Sequence, residues 1–291
     1  MDDQTEKELT PDQVDAMAKG RRDGGFDLSA SEEREVGRKL PTSVQVLHET
    51  VRVQGELELS RNIAALAWSS LAAGLSMGFS ALAPALLQAS LPATNAMRLV
   101  ASLGYTLGFL IVVLARQQLF TENTITAVLP LMSSPTLESV RRLLRLWGVV
   151  LVGNVAGATL FAFGLPQLPV IDDATREALV DGANRLMANT GTQMFTKGIL
   201  AGWLIALMVW LATAAQQSKP LVIALMTYVI AVGGFAHIIV GSAEGMYLVF
   251  DGRMSVPAFV LDFALPTLAG NIVGGSLVFA LISHAQVRSD A

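Results

Sequence analysis

The sequence contains no cysteine and few charged residues for its length. Without cysteine there can be no disulfide, no thiolate metal ligand and no cysteine nucleophile. Only 15% of the residues are charged, whereas a typical soluble domain has about 25%. The first 30 residues are polar and lack the apolar segment of a cleavable signal peptide. No basic stripe with interleaved aromatic residues is present, so nothing favours nucleic acid as a partner.

Sequence signals of catalysis are also missing. There is no phosphate-binding Walker loop, no cluster of metal-ligating residues and no nucleophile elbow. We therefore expect neither an enzyme nor a bound metal or cofactor. Apolar residues make up 52% of the chain, and they are gathered in long runs. Runs of about 20 such residues are typical of helices that cross a bilayer.

The distribution of charge divides the chain into three parts. Nine of the 20 lysines and arginines fall in residues 1–62, whereas residues 63–140 carry almost no charge. We predict a polar N-terminal arm of residues 1–62, a transmembrane domain of residues 63–284 and a short tail of residues 285–291.

The arm itself has two parts. Residues 1–38 are predicted to be disordered, because polar and charged residues predominate there. Residues 40–60 are predicted to form an amphipathic helix, since apolar residues recur on one helical face. The residues of this stripe are Leu40, Val44, Leu47 and Val51.

Six hydrophobic segments are predicted to cross the membrane. They lie near Ile63–Leu87, Ala96–Ala115, Leu143–Phe163, Phe195–Ala215, Leu221–Phe235 and Ala258–His284. Short polar or proline-marked connections separate most of them, and Gly164–Gln193 is expected to be a longer loop.

The positive charges of the connections predict the orientation. The loops on one side hold five basic residues and those on the other side hold four, and the basic arm adds to the first side. We expect both termini to be cytoplasmic, in a bacterial inner (plasma) membrane. The first set is Arg141, Arg142, Arg145, Lys219 and Arg288; the second is Arg98, Arg176, Arg185 and Arg253.

Two hydrophobic stretches are too long for one span, and polar or glycine-rich residues interrupt both. Ala96–Met132 is interrupted by Arg116–Thr124, and Leu221–Phe250 is interrupted from Gly233 onward. Non-helical backbone at membrane depth persists only where protein or water satisfies its polar groups. Spans two and five are therefore predicted to be broken helices that border a protein-lined path.

An internal repeat places the two breaks in matching positions. Gly153-Asn154 of span three recurs as Gly270-Asn271 of span six, 117 residues later. Because the repeating unit has three spans, its second copy must enter the membrane inverted. Paired interruptions in inverted halves point to a transport site at their interface.

An ordered set of motifs resembles the formate/nitrite transporter family over roughly residues 63–284. The motifs are Gly108 with Leu119-Phe120-Thr121, the Gly-Asn-x-x-Gly sequences of spans three and six, Gly198-Ile199-Leu200, Gly234-Phe235-Ala236-His237 and Pro266. The resemblance implies an aquaporin-like protomer with a central pore, assembled as a homopentamer and passing formate, nitrite or similar small monovalent anions.

His237 is the only histidine predicted to lie inside the membrane core, where a titratable group indicates function by default. Its imidazole could donate a hydrogen bond to an anion or exchange a proton with it. The alternative is a packed histidine that bonds a backbone carbonyl of the break. Thr121 lies in the matching break and could bind solute or His237; alternatively, its hydroxyl only satisfies freed backbone groups.

Apolar residues near the breaks are candidates for the pore wall. Leu119 and Phe120 either form a constriction or pack in the core. The family resemblance places Phe109 and Tyr105 along the pore, and Ile230 takes the place of a family phenylalanine.

Several charged residues are candidates for attracting an anion. Relatives carry a lysine before span four, and the corresponding position here is about Leu186, so Arg185 or Lys197 could serve instead. Otherwise Arg185 is a solvated loop charge and Lys197 a membrane anchor. Arg116 could favour anions near the first break, although we favour a structural role for it, either as a partner of Glu122 or as a brace of the loop. Glu244 is expected to brace the second break.

The sequence therefore predicts an all-α polytopic membrane protein that carries a small weak-acid anion, with membrane lipid around it. Two family asparagines are replaced by Gly202 and Gly241, so the polar lining is thinner than in formate or nitrite members. A neutral-solute channel of the aquaporin kind and a membrane scaffold with a vestigial pore remain alternatives.

Overall fold

The computed structural model describes residue 29, residue 31 and residues 43–289 except 93 and 170. Residues 44–291 form one compact unit, and all secondary structure in the described part is helical. The predicted disorder of residues 1–38 concerns positions that, apart from 29 and 31, lie outside this description. It stays a prediction.

Eleven helices account for the described membrane domain and the segment before it. They are α1 (Val44–Ser60), α2 (Ile63–Ser90), α3 (Asn95–Leu114), α4 (Phe120–Thr126), α5 (Val128–Ser133), α6 (Leu137–Gly164), α7 (Asp173–Met187), α8 (Gly191–Ala214), α9 (Lys219–Gly233), α10 (Ile238–Phe250) and α11 (Val256–Val287).

The prediction of an all-α polytopic membrane protein is confirmed. Helices α2, α3, α6, α8 and α11 are each long and apolar enough to cross a bilayer. The pair α9 and α10 meets the same criterion together, with a bend of 49° at the break. Helix α11 adopts π-helical geometry over Phe259–Ala264 and Val273–Ala280.

The expectation of a long loop at Gly164–Gln193 was wrong, because α7 occupies its middle. Asp172 caps this helix by accepting a hydrogen bond from the Thr175 amide at 2.8 Å. Its apolar face buries Ala178, Leu179 and Ala183 and packs against α2 and α10. The charges of α7 lie on the other face, and for that reason the segment reads as a polar connection.

Helix α1 packs on the membrane domain. The Arg145 guanidinium of α6 donates to the Leu59 carbonyl at 2.5 Å, and the His48 and His284 rings are joined by a 3.0 Å hydrogen bond. Burial and the neighbouring His284 lower the pKa of His48. The helix lies within the stretch predicted to be helical, of which residues 40–42 fall outside the described residues.

Glycines allow close approach between spans within one protomer. A Cβ added at Gly157 of α6 would lie 2.3 Å from the Leu71 carbonyl oxygen of α2, and one at Gly274 of α11 would lie 2.0 Å from the Ile199 carbonyl oxygen of α8. These contacts hold α2 against α6 and α8 against α11, the matching helix pairs of the two halves.

Gly157→Ala should therefore destabilise the protein, because the methyl group would overlap backbone that cannot move away. Overpacking of this kind costs about 1–3 kcal/mol. Gly148→Ala is a matched control in the same helix, since its Cβ would meet nothing within 4 Å and alanine is the better helix former. Thermal unfolding in detergent should show a lower midpoint for Gly157→Ala only; equal midpoints would contradict the packing argument.

Candidate functional site

Two breaks in the helices form the centre of the candidate site. The first break separates α3 from α4 at residues 115–119, and the second separates α9 from α10 at residues 234–237. At the start of the second break Gly234 adopts a left-handed conformation, with a φ of 57°. A side chain would be strained there, so glycine lets the chain leave α9 and turn into the break.

An asparagine side chain satisfies the backbone of each break. Asn154 of α6 accepts a hydrogen bond from the Phe120 amide at 2.8 Å and donates to the Gln118 carbonyl at 2.8 Å. Asn271 of α11 does the same for the Ile238 amide at 3.0 Å and the Ala236 carbonyl at 2.9 Å. Both asparagines are fully buried.

This arrangement sets the register of the inverted repeat. The amides of Phe120 and Ile238 occupy equivalent positions, so the counterpart of His237 is Leu119, and both residues are helix N-caps. The offset of 117 residues, which places Thr121 opposite Ile238, differs from the structural register by one residue.

Thr121 and His237 are in direct contact. The Thr121 Oγ1 and His237 Nε2 atoms lie 2.8 Å apart, and both residues are buried. His237 Nδ1 accepts the Val240 amide at 3.4 Å. An imidazole whose Nδ1 accepts carries its proton on Nε2, so His237 donates to Thr121. The Thr121 hydroxyl retains its own hydrogen as a donor.

The predicted apolar residues surround this pair. The rings of Phe109 and His237 pack in a T-shaped arrangement at a centroid distance of 5.0 Å, and Tyr105 packs on Phe109 at 5.5 Å. Leu119, Phe120 and Ile230 are buried, and Phe120 packs edge-on against Trp147.

Two cavities that share no lining residue approach the centre. The α7-side cavity has a volume of about 500 Å³ and is lined by His237, Tyr105 and Ile230 among others. The α1-side cavity has a volume of about 460 Å³ and includes Gln118, Glu122 and Thr126 in its wall. Phe109, Leu119, Phe120 and Thr121 line neither cavity.

Positive charge lines both cavities. Arg185 and Lys197 line the α7-side cavity together with Arg98, which the sequence reasoning treated only as a loop charge. Each donates to a neutral amide oxygen: Arg185 to Gln88 at 3.3 Å, Lys197 to Asn189 at 2.7 Å and Arg98 to Asn95 at 2.5 Å. In the described part of the chain, none of the three has a carboxylate partner within 4.0 Å.

Arg116 lies in the wall of the α1-side cavity, as do Glu122, Arg61 and Lys219. No Arg116–Glu122 ion pair is present among the described residues, so the expected pairing is not found, and the loop-bracing role stays a prediction. Arg116 has a φ of 53° and an exposed side chain.

Comparison with known proteins gives the family. A family model described as the formate/nitrite transporter matches residues 45–285. The chain belongs to the formate/nitrite transporter family. A relative, Inner membrane protein YfdC of Escherichia coli (strain K12), is 51% identical over 267 residues, which cover 89% of this chain and 86% of the relative.

Solved structures of this family have the same fold. A pentameric formate channel with formate bound superposes with a TM-score of 0.67 at 20% identity, over 78% of this chain and 98% of that one. An ion channel of the FNT family superposes with a TM-score of 0.71 at 19% identity, over 84% and 98%. The fold described above is therefore the fold of these solved channels.

Replacement of Asn271 by alanine should disrupt this site, because three hydrogen bonds to buried backbone would be lost at once. Each unsatisfied buried group costs about 1–3 kcal/mol. We expect a large loss of folded protein in detergent, measured by thermal unfolding and size-exclusion chromatography. Asn184→Ala, on the exposed face of α7, should be neutral. Equal stability of the two variants would exclude the proposed role of Asn271.

Proposed function

We propose that this protein is a channel or transporter for small monovalent weak-acid anions such as formate or nitrite. The observation that carries the proposal is the hydrogen-bonded pair of Thr121 and His237 between two cavities lined by cations. Arg98, Arg185 and Lys197 raise the local concentration of anions. Membership of the formate/nitrite transporter family supports the same substrate class.

The apolar centre determines the form in which the solute crosses. A bare anion in a low-dielectric passage costs several kcal/mol even after relaxation. Phe109, Leu119 and Phe120 offer no charge to offset this cost, so a weak acid crosses most readily with its proton. A neutral-solute channel shares this apolar centre, but the cations of the cavities favour an anion at the entrances.

His237 and Thr121 act as one unit in this proposal. Their neutral side chains replace the hydrogen bonds that the solute loses when it leaves water. Arg116, at the opposite mouth, attracts anions to the α1-side cavity. If both termini are cytoplasmic, as we propose, that cavity opens on the cytoplasmic side of a bacterial inner membrane.

Substitutions of the pair should lower formate flux in proteoliposomes while the protein still assembles. His237→Phe should lower it most, because it removes the ring nitrogens. Thr121→Val should lower it about fivefold, the equivalent of a hydrogen bond worth about 1 kcal/mol. Thr121→Ser retains the hydroxyl and should retain flux, and the double variant should be no worse than His237→Phe alone. Unchanged flux in His237→Phe at equal protein would leave the histidine a structural residue.

We also propose that the protein assembles as a homopentamer. The solved formate channel that shares its fold is pentameric, and large apolar side chains such as Trp68, Val152 and Leu225 are exposed on the single protomer. Native mass spectrometry in mild detergent should give a mass near five times 30.9 kDa. A stable monomer or dimer at the same detergent concentration would contradict this assembly.

A further inference from the structure

Glu244 lies on the wall that leads to His237. Helix α10 begins next to His237 at the centre and runs back toward the surface, and Glu244 follows His237 by seven residues. Seven residues are nearly two helical turns, so the two side chains share one face about 10 Å apart along the axis. Both line the α7-side cavity, and so does Gly241, which lies between them on that face.

The Glu244 carboxyl has no bonding partner in the described part of the chain. It takes part in no hydrogen bond and no ion pair there, so the expectation that it braces the second break was wrong. The three cations of the cavity donate to amide oxygens of Gln88, Asn95 and Asn189. Glu244 is also the one carboxyl among the described residues that line this cavity.

None of the groups that face Glu244 holds its carboxyl in one protonation state. Arg185 of α7 and Tyr105 of α3 interact with it electrostatically, Arg98 and Lys197 line the same cavity, and Tyr247 lies one turn further along α10. Among the other helices packed on α10, α2 has no titratable residue. The titratable residues of α6 lie within its first nine residues, and Asp262 of α11 is exposed.

We propose that Glu244 exchanges a proton with the solute anion in the α7-side cavity, before the solute reaches His237. In the entering direction, the protonated carboxyl transfers its hydrogen to an oxygen of the anion. The products are the neutral acid and the Glu244 carboxylate, which is protonated again by hydronium that enters the cavity from the solution on that side. In the leaving direction, the carboxylate takes the proton from the neutral acid. This inference rests on the proposed function.

His237 is a poor candidate for the same step. Its Nδ1 accepts the Val240 amide and its Nε2 bonds Thr121, so neither nitrogen can give or take a proton without loss of a hydrogen bond. Glu244 has no such bond to break. In this proposal the proton is exchanged in the cavity, and the neutral solute forms hydrogen bonds at the centre, where Phe109 and Leu119 exclude water.

The charge state of Glu244 also controls entry. As a carboxylate it cancels part of the positive field of Arg98, Arg185 and Lys197 and repels an arriving anion. As a neutral acid it donates a hydrogen bond to that anion. Acid on the α7 side should therefore favour both entry and proton transfer.

The test is formate flux into proteoliposomes of the full-length protein, followed together with internal pH, over about pH 5 to 8. Glu244→Gln has nearly the same shape but no exchangeable acid. It should lower proton-coupled formate flux on the order of tenfold or more and flatten the dependence on pH. Glu244→Asp retains an acid and should retain the pH dependence. Glu177→Gln, which removes an exposed carboxyl from α7 outside both cavities, is the matched control.

A wild-type pH profile in Glu244→Gln would overturn the inference, while wild-type flux above that of empty vesicles would still support the proposed function. Should Glu244→Gln not assemble, Glu244→Ala, which also removes the acid, decides: a flattened pH dependence supports the inference, and a wild-type pH dependence overturns it. Wild-type protein that carries no formate would overturn the proposed function and the inference with it.

Discussion

The Gln118 carbonyl and the Phe120 amide lie outside regular helix at the depth of the bilayer, and the side chain of Asn154 bonds both. Asn271 does the same in the second half. An amide side chain suits this task because it donates and accepts at once. Without it each break would expose backbone groups that lipid cannot satisfy, and the ends of α4 and α10 could not meet at the centre. The Thr121–His237 contact, the two cavities and the apolar centre all depend on these bonds.

Charged groups lie where the free-energy cost of burying a charge is low. Charged side chains, mostly cations, line the cavities, where water can screen them, and neutral groups occupy the buried centre. Amide oxygens, not carboxylates, hold the cations of the α7-side cavity. A salt bridge would neutralise their charge within the protein. A neutral amide oxygen instead holds the side chain in position and leaves its positive charge uncompensated. In the function we propose, the cavities attract charged solutes and the apolar centre favours the neutral form.

Much of this organisation could be predicted from the sequence, because lipid imposes strict rules on length and polarity. The spans, the two breaks and the central His237 and Thr121 follow from interrupted apolar runs and the repeated Gly-Asn pairs. Helix α7 could not be recognised, since a short helix with one charged face resembles a polar loop. A pair of Arg116 with Glu122 was one of the roles expected from their spacing, but no such pair is found among the described residues, and no sequence pattern predicts the left-handed backbone at Arg116. The role of Arg98 depends on which cavity the start of α3 faces, and the local sequence pattern does not predict this.

The attachment of α1 has a mechanical consequence. Glu58 near the end of α1 accepts a hydrogen bond from the Thr126 hydroxyl at 2.6 Å, and burial raises the pKa of this carboxyl. Thr126 is the last residue of α4, and Thr121 lies in the first turn of the same seven-residue helix. A force that pulls on the N-terminal segment is therefore transmitted through less than two helical turns to the centre of the protein. Tension at the start of α1 would therefore act on the Thr121–His237 contact as well as on α6 and α11, which α1 contacts through Leu59 and His48.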